Sequence, residues 1–372
     1  MITILFACRN FNNMAGGIER MASIIMNEMV KRGHKVALIT WDPTYSKSYY
    51  YLNPKISWYK LNLGSPNLKA SWKLRLKRQL VIRKIVKELN PSVVIGFQVG
   101  TFLAVRLALL GLFIPTIAAE RNSPDLFKYL KDGKKNRFLA FLALSLSNII
   151  TVQLESYKNK YPFFLRSKII AIPNSINPCK KPAYPNERIK TPKRILNVGR
   201  LSYQKNQLFL IRSFSLISSK NPEWVLTLVG EGEYRKNIEK LIIEKNLSSR
   251  IELIGAVKDV DFWYQNSSFF VFPSLWEGFP NALVEAFREG LPAVGLLSTS
   301  GVNHLIINKK NGLLVESKEI NFALAMQEMI NNHSFRKNAG KEANLLITQY
   351  PPNIILDKWE NLFLKLSKLN KK

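Results

Sequence analysis

The chain has 372 residues, of which 47% are hydrophobic and 11% aromatic, so it is long enough for two packed domains and too apolar to be disordered. Its two cysteines, Cys8 and Cys179, are too few for a disulfide framework or a cysteine-based metal cluster, which favours a reducing compartment. The formal charge of +29 is uneven: residues 1–178 carry 27 basic and 8 acidic side chains, against 28 and 18 in residues 179–372.

The sequence predicts neither a secretory leader nor a membrane span. The opening MITILFACRN has no basic leader and predicts a buried strand. Residues 102–119 are apolar but contain Arg106 and Pro115, and residues 138–152 are short and interrupted by serines. We therefore expect a cytoplasmic protein without a transmembrane helix.

Short apolar runs alternate with segments of helical period in the first half, which predicts parallel α/β units. The four predicted strands of this half cover residues 2–7, 35–40, 93–96 and 116–119. Gly16 and Gly17 open a helix that runs to about Arg32, at the turn where such βαβ units bind phosphate. A glycine pair that only makes a tight turn remains the alternative. The polar residues 120–124 follow a predicted strand, where ligands bind in such sheets.

Residues 68–89 predict a basic amphipathic helix with Glu88 as its one acid. The basic side chains are Lys69, Lys73, Arg75, Lys77, Arg78, Arg83, Lys84 and Lys87. The five lysines share one stripe, and apolar cover is predicted from Trp72, Leu76, Leu80 and, further round, Val81 and Ile85. Such a helix binds an anionic membrane surface or an anionic ligand. Alternatives are a solvated face on a packed helix and nucleic-acid binding, although no RNA-binding or zinc-finger signature occurs.

A proline-rich linker precedes a second α/β series. The prolines are Pro173, Pro178, Pro182, Pro185 and Pro192. The second series of predicted strands covers residues 195–198, 225–229, 251–254, 269–272 and 293–296. The simplest architecture is two Rossmann-like domains facing across a cleft. The predicted domains are residues 1–178 and 190–352, with residues 353–372 forming a helix that packs back on the first domain.

Several loops of the second half carry candidate binding residues. Arg200 and Lys205 follow the strand at 195–198 and could neutralise a diphosphate, although such a pair is more often plain surface. The Gly-Glu-Gly at residues 230–232 is weak evidence and could be only a turn. The Asp-Val-Asp at residues 259–261 has the form of a metal-binding D-x-D, but we interpret it as a helix N-cap. The three histidines are scattered, so no metal site or histidine-based triad is predicted.

Glu277 and Glu285 frame a Gly-Phe-Pro-Asn turn that opens a predicted helix from about Pro280 to Gly290. At ~1.5 Å per residue the two carboxylates lie roughly 12 Å apart or further. A hydrolytic pair would lie about 5–9.5 Å apart, so these glutamates suit opposite ends of one long ligand. The unpaired N–H groups at the helix start are suited to a diphosphate between them. Taken alone, this spacing also arises by chance in many helices.

Together these segments resemble the retaining glycosyltransferases of family four, which have the two-Rossmann GT-B fold. The resemblance covers nearly the whole chain. Its segments are GGIERMASIIMNEMVKRGHKVALIT, IPNSIN, NVGRLSYQKN, VGEGEYR, the E-x7-E segment and NGLLV.

The resemblance implies roles for individual residues. Arg200 and Lys205 would hold the donor diphosphate, and both would act in catalysis with Glu277, which contacts the sugar hydroxyls. Glu285 would hold the ribose. The residues whose backbone would cradle the sugar and phosphates are Gly278, Phe279, Asn281, Ala282 and Leu283. The glycines that would close the site from the other domain are Gly16 and Gly17.

The implied reaction moves a hexose or N-acetylhexosamine from a nucleotide sugar, UDP-linked by preference, to an acceptor hydroxyl with retention. No protein nucleophile, metal or cofactor is implied besides this co-substrate. Many members carry a histidine after the fourth strand of the first domain, where this chain reads Gly-Phe-Gln-Val-Gly at residues 96–100. Gln98 could take over a hydrogen bond there. Arg121 could touch a donor or acceptor phosphate.

The segment Glu-Arg-Asn-Ser-Pro at residues 120–124 resembles members that extend lipid-diphosphate-linked glycans, as in surface polysaccharide and lipopolysaccharide O-antigen assembly. This implies a lipid-linked or saccharide acceptor and a peripheral position at the inner face of the cell membrane. Residues 68–89 would face the anionic membrane surface or the pyrophosphate of the acceptor, with no nucleic-acid partner. The alternatives are a GT-B sugar-nucleotide epimerase and a non-catalytic basic protein that binds membrane or nucleic acid.

Overall fold

The computed structural model describes residues 1–66, 68, 70–176, 179 and 193–369. The chain divides into two compact units, one made of Met1–Ser175 with Pro352–Lys372 and the other of Ile176–Pro351. The positions named above that lie outside the described residues are Lys69, Asn177 at the end of IPNSIN, Pro178, Pro182, Pro185, Pro192 and the predicted domain ends at residues 178, 190 and 372.

The described part of the first unit holds seven strands and, before residue 175, five α-helices. The strands are β1 (Thr3–Cys8), β2 (Lys35–Thr40), β3 (Ser57–Lys60), β4 (Val93–Phe97), β5 (Thr116–Ala119), β6 (Ile149–Val152) and β7 (Ile169–Ala171). The helices are α1 (Gly17–Lys31), α2 (Trp72–Leu89), α3 (Val99–Ala108), α4 (Gly133–Ser145) and α5 (Phe163–Arg166). A 3-10 helix spans Pro124–Tyr129.

All seven strands are parallel and lie in the order β3-β2-β1-β4-β5-β6-β7. The central strands are apolar along their whole length because helices cover both faces. The strand order reverses between β1 and β4, so the loops that follow these two strands open at the switch point where such sheets bind ligands.

The second unit is a second parallel sheet with its own helices. Its described strands are β8 (Lys193–Val198), β9 (Trp224–Val229), β10 (Ile251–Gly255), β11 (Phe269–Phe272), β12 (Ala293–Leu296) and β13 (Gly312–Val315). Its described helices are α6 (Gln207–Ser215), α7 (Arg235–Glu244), α8 (Asp261–Gln265), α9 (Asn281–Arg288), α10 (Val302–Leu305), α11 (Glu319–Asn331) and α12 (His333–Ile347). The order β10-β9-β8-β11-β12-β13 places the switch point between β8 and β11.

The last described helix, α13 (Pro352–Ser367), belongs to the first unit. Its residues Trp359 and Phe363 are fully buried in the core that β1 and α1 share. The Phe363 ring meets the Phe6 ring edge-on with 5.9 Å between centroids. On the same helix, the Glu360 carboxylate accepts a hydrogen bond from the Arg32 guanidinium. Its other oxygen, Oε1, lies 2.9 Å from Nε2 of His34. The predicted return of this helix to the first half is therefore confirmed.

The predicted α/β class and two Rossmann-like units are confirmed. Strands at residues 35–40, 116–119, 269–272 and 293–296 have the predicted bounds. The described strands missed by sequence reasoning are β3, β6, β7 and β13. The apolar stretch at residues 138–152 is divided between α4 and β6. Among the described helices, none is long and apolar enough to cross a membrane.

The basic segment forms the helix α2, but its apolar face differs from the prediction. Ser71 caps its start by accepting the Leu74 N–H, and Asn90 ends it with φ +42°. The residues buried against the sheet are Arg78, Ile82 and Val86, with Val81 and Ile85 partly buried beside them. The predicted cover residues Trp72, Leu76 and Leu80 are exposed instead. The helix thus has a second apolar stripe that stays more than half exposed.

Candidate functional site

Two loops meet at the switch point of the second sheet. One follows β8 and carries Arg200 and Lys205, and the other follows β11 and leads to α9. Backbone and side-chain hydrogen bonds join them: Leu275 donates to the Gln204 carbonyl at 2.9 Å, and the Gln204 side chain donates to the Trp276 carbonyl at 2.7 Å. The segments of two separate motifs therefore form one connected surface.

The glycines of the Gly-Glu-Gly turn allow the β8 loop to lie directly against the β9 loop. A Cβ on Gly230 would lie 2.1 Å from the Gly199 carbonyl oxygen, and one on Gly232 would lie 2.2 Å from that of Leu201. Gly230 also has φ +141°. These glycines serve close backbone approach, so the turn fixes the position of the loop that carries Arg200.

Lys205 and Glu277 form an ion pair, with 2.6 Å between Lys205 Nζ and Glu277 Oε1. Glu277 is 5% exposed, and the ammonium lies 5.0 Å from the centroid of the Phe272 ring. The two residues to which the resemblance gives diphosphate and sugar roles are thus in contact. The pair sets a positive charge and a carboxylate side by side at the switch point.

Arg200 is exposed on the same loop. Its carbonyl accepts a hydrogen bond from the buried Gln207 side chain at 2.9 Å, which fixes the backbone while the guanidinium extends outward. Sequence reasoning missed Gln207. A polar residue at the start of an apolar helix is a signal that its side chain hydrogen-bonds to a neighbouring loop. The loop therefore presents two cations, one fixed by a carboxylate and one exposed to solvent.

The helix α9 begins one residue later and ends two residues earlier than predicted, at Asn281 and Arg288. Pro280 lies before its first residue, and the Asn281 N–H donates to the Phe279 carbonyl at 2.8 Å. The Phe279 ring packs edge-on against Tyr350 at 6.0 Å, so only its backbone can face a ligand. Of the other predicted cradle residues, Gly278 and Leu283 are buried and Ala282 is half-buried.

Glu285 lies on α9 and is oriented by a tyrosine of α8. Its Oε2 lies 3.1 Å from the hydroxyl of Tyr264, which also lies 3.1 Å from the Ala282 carbonyl. Tyr264 is fully buried in α8, so it fixes the orientation of a half-buried carboxylate. Sequence reasoning missed this tyrosine, because an aromatic residue in Phe-Trp-Tyr-Gln indicates core packing more often than a site.

Two further contacts at this edge were not predicted. The Thr299 hydroxyl, in the loop after β12, donates to the Ser274 carbonyl and joins a third loop to the switch point. The Ser274 hydroxyl is buried and has no hydrogen-bond partner among the described residues. Under α9, the buried Glu289 accepts from Arg288 and from the Gln265 side chain. These polar contacts of Glu289 hold the C-terminal end of α9, while the start of that helix faces the two loops.

The Asp-Val-Asp segment is used for local structure. Asp259 accepts the Phe262 N–H at 3.4 Å at the start of α8, and Asp261 pairs with Arg288. Within the described residues, no three histidine, cysteine or carboxylate side chains converge on a common point.

In the first unit, Gly16 is the N-cap of α1 and Gly17 is its first residue, as predicted. A Cβ on Gly16 would lie 2.1 Å from a carboxylate oxygen of Glu19, so the Glu19 side chain lies against this turn. Because that contact is with the end of a flexible side chain, it does not by itself require glycine here.

Gln98 is the N-cap of α3, with φ +66° and ψ 146°. A residue with a side chain seldom adopts this conformation, and it persists only where its surroundings enforce it. Two backbone bonds enforce it here: Gln98 N–H donates to the Ala119 carbonyl, and Phe102 N–H donates to the Gln98 carbonyl, both at 2.9 Å. The side chain is half-buried at the carboxyl end of β4.

Glu120 and Arg121 point to different sides of the sheet edge. The Arg121 guanidinium lies 5.3 Å from the Phe97 ring and 5.7 Å from the Trp359 ring and donates to Asn174. Burial lowers the pKa of Arg121 to about 10, and its Nε and Nη2 have no hydrogen-bond partner among the described residues. Burial also raises the pKa of Glu120 to about 7.

A cavity of about 960 Å³ opens at the carboxyl edge of the first sheet. Its lining includes one residue that follows each of the strands β1, β2, β4 and β5, namely Arg9, Trp41, Gln98 and Glu120. Arg121 is not among the lining residues. The structure therefore places the predicted residue Gln98 in this cavity and Arg121 outside it, beside the Phe97 and Trp359 rings.

Two family models match adjoining parts of the chain. A family model described as Glycosyltransferase Family 4 matches residues 15–179, and one described as Glycosyl transferases group 1 matches residues 183–345. A protein of Haemophilus influenzae described as an uncharacterized glycosyltransferase is 28% identical over 94% of this chain and 96% of its own.

A Campylobacter jejuni protein is 25% identical over 98% of this chain and 99% of its own; it is named GalNAc-alpha-(1->4)-GalNAc-alpha-(1->3)-diNAcBac-PP-undecaprenol alpha-1,4-N-acetyl-D-galactosaminyltransferase. The structure of sucrose-phosphate synthase from Thermosynechococcus elongatus superimposes with a TM-score of 0.80 at 18% identity, covering 98% of this chain and 99% of that one, and shows the shared GT-B fold. Since the two family models between them match most of the sequence, the chain belongs to glycosyltransferase family four.

Proposed function

We propose that this glycosyltransferase moves a hexose or N-acetylhexosamine from a UDP-sugar to a lipid-linked glycan, with retention at the anomeric carbon. The observation that carries the donor half is the Lys205–Glu277 pair, which lies at the switch point of the second sheet beside the exposed Arg200. The acceptor half is supported by the name of the Campylobacter jejuni relative, which contains PP-undecaprenol.

The charges suggest how the donor diphosphate is bound. Arg200 supplies a planar fork of donors, Lys205 supplies a point charge, and the N-terminal N–H groups of α9 add partial positive charge. Glu277 keeps Lys205 in place, and its carboxylate would accept hydrogen bonds from the hydroxyls of the sugar. These groups strengthen their contacts as the UDP departs and gains charge, which lowers the barrier without a metal ion.

In the proposed reaction the sugar passes directly from the donor to the acceptor, without a protein nucleophile. The acceptor oxygen bonds to the anomeric carbon as the bond from that carbon to the UDP phosphate breaks, and the acceptor proton leaves with the phosphate oxygen. Because the acceptor attacks the same face of the sugar that the phosphate leaves, the configuration at the anomeric carbon is retained. Glu285, oriented by Tyr264, would accept hydrogen bonds from the ribose hydroxyls at the far end of the donor.

Thermal stability with bound ligands tests the donor proposal. UDP and one or more UDP-sugars at a hundred times their dissociation constants should raise the free energy of unfolding by about 2.7 kcal/mol. GDP, ADP and single-stranded DNA should not, and EDTA should leave the effect and the transfer unchanged. Glu285→Ala should abolish the stabilisation, whereas Glu244→Ala, an exposed glutamate of α7, should not.

Other outcomes would point to other functions. Stabilisation by DNA alone, lost in high salt, would identify a basic binding protein. Conversion of the UDP-sugar without an acceptor would identify an epimerase.

We propose further that the protein binds the inner face of the cell membrane through α2. Its exposed apolar residues Trp72 and Leu80 alternate around the helix with exposed lysines, a composition suited to an anionic bilayer surface. Helices α2, α3, α4 and α5 pack side by side, and α4 and α5 add exposed Phe138 and Phe163 to the same unit.

Charge reversal tests this surface. The variant with Lys73→Glu, Lys77→Glu and Lys84→Glu should bind vesicles with 30% phosphatidylglycerol at least 100-fold more weakly, since each lysine near such a surface contributes about 1 kcal/mol and each glutamate adds repulsion. Co-sedimentation at 50 and 500 mM salt measures it. The control reverses Lys236, Lys240 and Lys245 at the helix α7 of the second unit. Equal binding by the two triple variants would contradict the proposal.

A further inference from the structure

Three aromatic rings lie together on loops at the carboxyl edge of the second sheet. Tyr203 follows β8, Tyr234 follows β9 and Trp276 follows β11. The centroid of the Tyr203 ring lies 6.1 Å from that of Trp276 and 6.4 Å from that of Tyr234, with interplanar angles of 51° and 49°. Tyr203 is 50% exposed, and the other two residues are half-buried. We call these three side chains the aromatic platform.

Hydrogen bonds between the loops fix the backbone beneath the platform. The Tyr234 N–H donates to the Leu201 carbonyl at 3.0 Å, and the Gln204 side chain donates to the Trp276 carbonyl at 2.7 Å. The three rings therefore sit on loops that are already joined to one another. A ligand that stacks on them loses little affinity to the ordering of loops.

The platform adjoins the Lys205–Glu277 pair along the chain. Tyr203 begins the 3-10 turn that ends at Lys205, and Trp276 immediately precedes Glu277. Glu277 is 5% exposed and faces Lys205, whereas half of the Tyr203 surface is open. In the proposed donor complex Glu277 binds the sugar and Glu285 binds the ribose at the far end. The platform therefore lies at the sugar end of the donor, away from the uracil.

The charge of the three loops argues against an anionic partner. Together they hold two cations and three carboxylates, a formal charge of −1 in a chain of +29. The loops are residues 199–206, 230–234 and 273–280, and their charged residues are Arg200, Lys205, Glu231, Glu233 and Glu277. The two cations are those assigned to the donor diphosphate. An anionic bilayer or a nucleic acid would meet carboxylates beside the rings, so a neutral ligand suits the platform better.

A pyranose ring has the chemistry that this surface requires. One face of such a ring presents C–H groups, whose slight positive polarity suits the negative face of an aromatic ring. Its rim carries hydroxyls that donate hydrogen bonds to carboxylates and to tyrosine oxygens. Glu233 is exposed and immediately precedes Tyr234, so it can accept such bonds. Stacking and hydrogen bonding are thus available side by side.

We propose that the aromatic platform binds a neutral pyranose ring of the acceptor glycan, next to the hydroxyl that receives the transferred sugar. Tyr203 and Trp276 stack on the C–H face of that ring, and Glu233 accepts hydrogen bonds from its hydroxyls. Because Glu277 binds the donor sugar, the ring on the platform is the acceptor's. This rests on the proposed function and gives the second unit a part in acceptor recognition.

Saturation-transfer difference NMR of the full chain measures this site directly. With UDP in excess to occupy the donor site, the probes are the methyl α-glycosides of glucose, galactose, N-acetylglucosamine and N-acetylgalactosamine. At least one should bind the wild-type protein, with its ring C–H protons the most strongly saturated. Tyr203→Ala should weaken that binding about tenfold, whereas Tyr203→Phe, which keeps the ring, should stay within about threefold of wild type.

The control variant is Tyr45→Ala, which removes a 77% exposed tyrosine from the first unit and should leave glycoside binding unchanged. Equal binding by wild type and Tyr203→Ala, or no glycoside signal from wild type, would overturn the proposal. Loss of the stabilisation by UDP in Tyr203→Ala would overturn it in favour of base stacking. Weaker vesicle binding by Tyr203→Ala, with glycoside binding unchanged, would overturn it in favour of a membrane contact.

These measurements separate the inference from the function on which it rests. If UDP-sugars bind and are used, but Tyr203→Ala binds glycosides as wild type does, the platform proposal fails alone. If a glycoside binds through Tyr203 while no nucleotide sugar binds, the platform is established as a glycan site and the proposed transfer is wrong. With an identified acceptor, Tyr203→Ala should raise the KM for that acceptor about tenfold, with kcat and the KM for the UDP-sugar within about twofold of wild type.

Discussion

Replacing Lys205 with alanine should lower kcat for sugar transfer by about 100- to 1000-fold, the usual cost of removing one group that stabilises charge in the transition state. The reason is local: Lys205 is the cation that Glu277 holds at the switch point of the second sheet. Steady-state kinetics with the best UDP-sugar measure the effect. Lys240→Ala, an exposed lysine of the same unit, should leave kcat unchanged.

The same substitution also has a structural cost, which a double variant removes. Lys205→Ala leaves Glu277, 5% exposed, without its cation, and breaking a buried pair in this way costs about 3 kcal/mol. Lys205→Ala with Glu277→Gln should recover most of the stability in urea unfolding but none of the activity. Activity that returns with stability would mean that the pair only holds the loops together.

Trp359→Ala should lower the unfolding free energy of the first unit by about 3–5 kcal/mol, the largest stability effect that we expect for one residue. The indole is fully buried, packs on Phe363 at 5.7 Å and lies beside the Arg121 guanidinium. Removing it leaves a large cavity and removes one of the two aromatic rings that lie beside the Arg121 guanidinium.

Hydrogen exchange measured segment by segment gives the readout, because it reports each unit separately. Protection of β1 and α1 should fall by about two to four orders of magnitude, while β8 and β11 keep theirs. Ile354→Ala on the same helix replaces a residue that is 50% exposed and should change protection little. Equal protection of β1 in the two variants would contradict the prediction.

The sequence predicted the two-unit fold because its central strands are apolar runs between clear turns. It missed β3 and β6 for different reasons. β3 is a four-residue edge strand of mixed polarity, Ser-Trp-Tyr-Lys, and β6 follows α4 in the same apolar stretch, with only two serines and an asparagine at their junction. Neither has a local signal that separates it from its surroundings.

The site residues were predicted from motifs, but their pairing was not. Lys205 and Glu277 are 72 positions apart, and only the strand order brings their loops together. The role of Tyr264 depends equally on tertiary structure.

The face of α2 illustrates the same limit on the scale of one helix. The sequence places apolar residues on two stripes, one with Ile82 and Val86 and one with Trp72, Leu76 and Leu80. A helical wheel cannot tell which stripe meets the sheet. Packing against β1 and β2 selects the β-branched pair, which leaves the longer side chains outside.

The position of α13 has a consequence for synthesis on the ribosome. The second unit, Ile176–Pro351, is inserted between the last strand of the first unit and the helix that completes its core. At the usual 5–20 residues per second, those residues take roughly 10 to 35 s to emerge. During that interval the nascent first unit exposes the apolar surface that Trp359, Leu362 and Phe363 later cover. The second unit can therefore fold before the first unit is complete. The exposed apolar surface of the incomplete first unit is a binding site for chaperones that act on nascent chains.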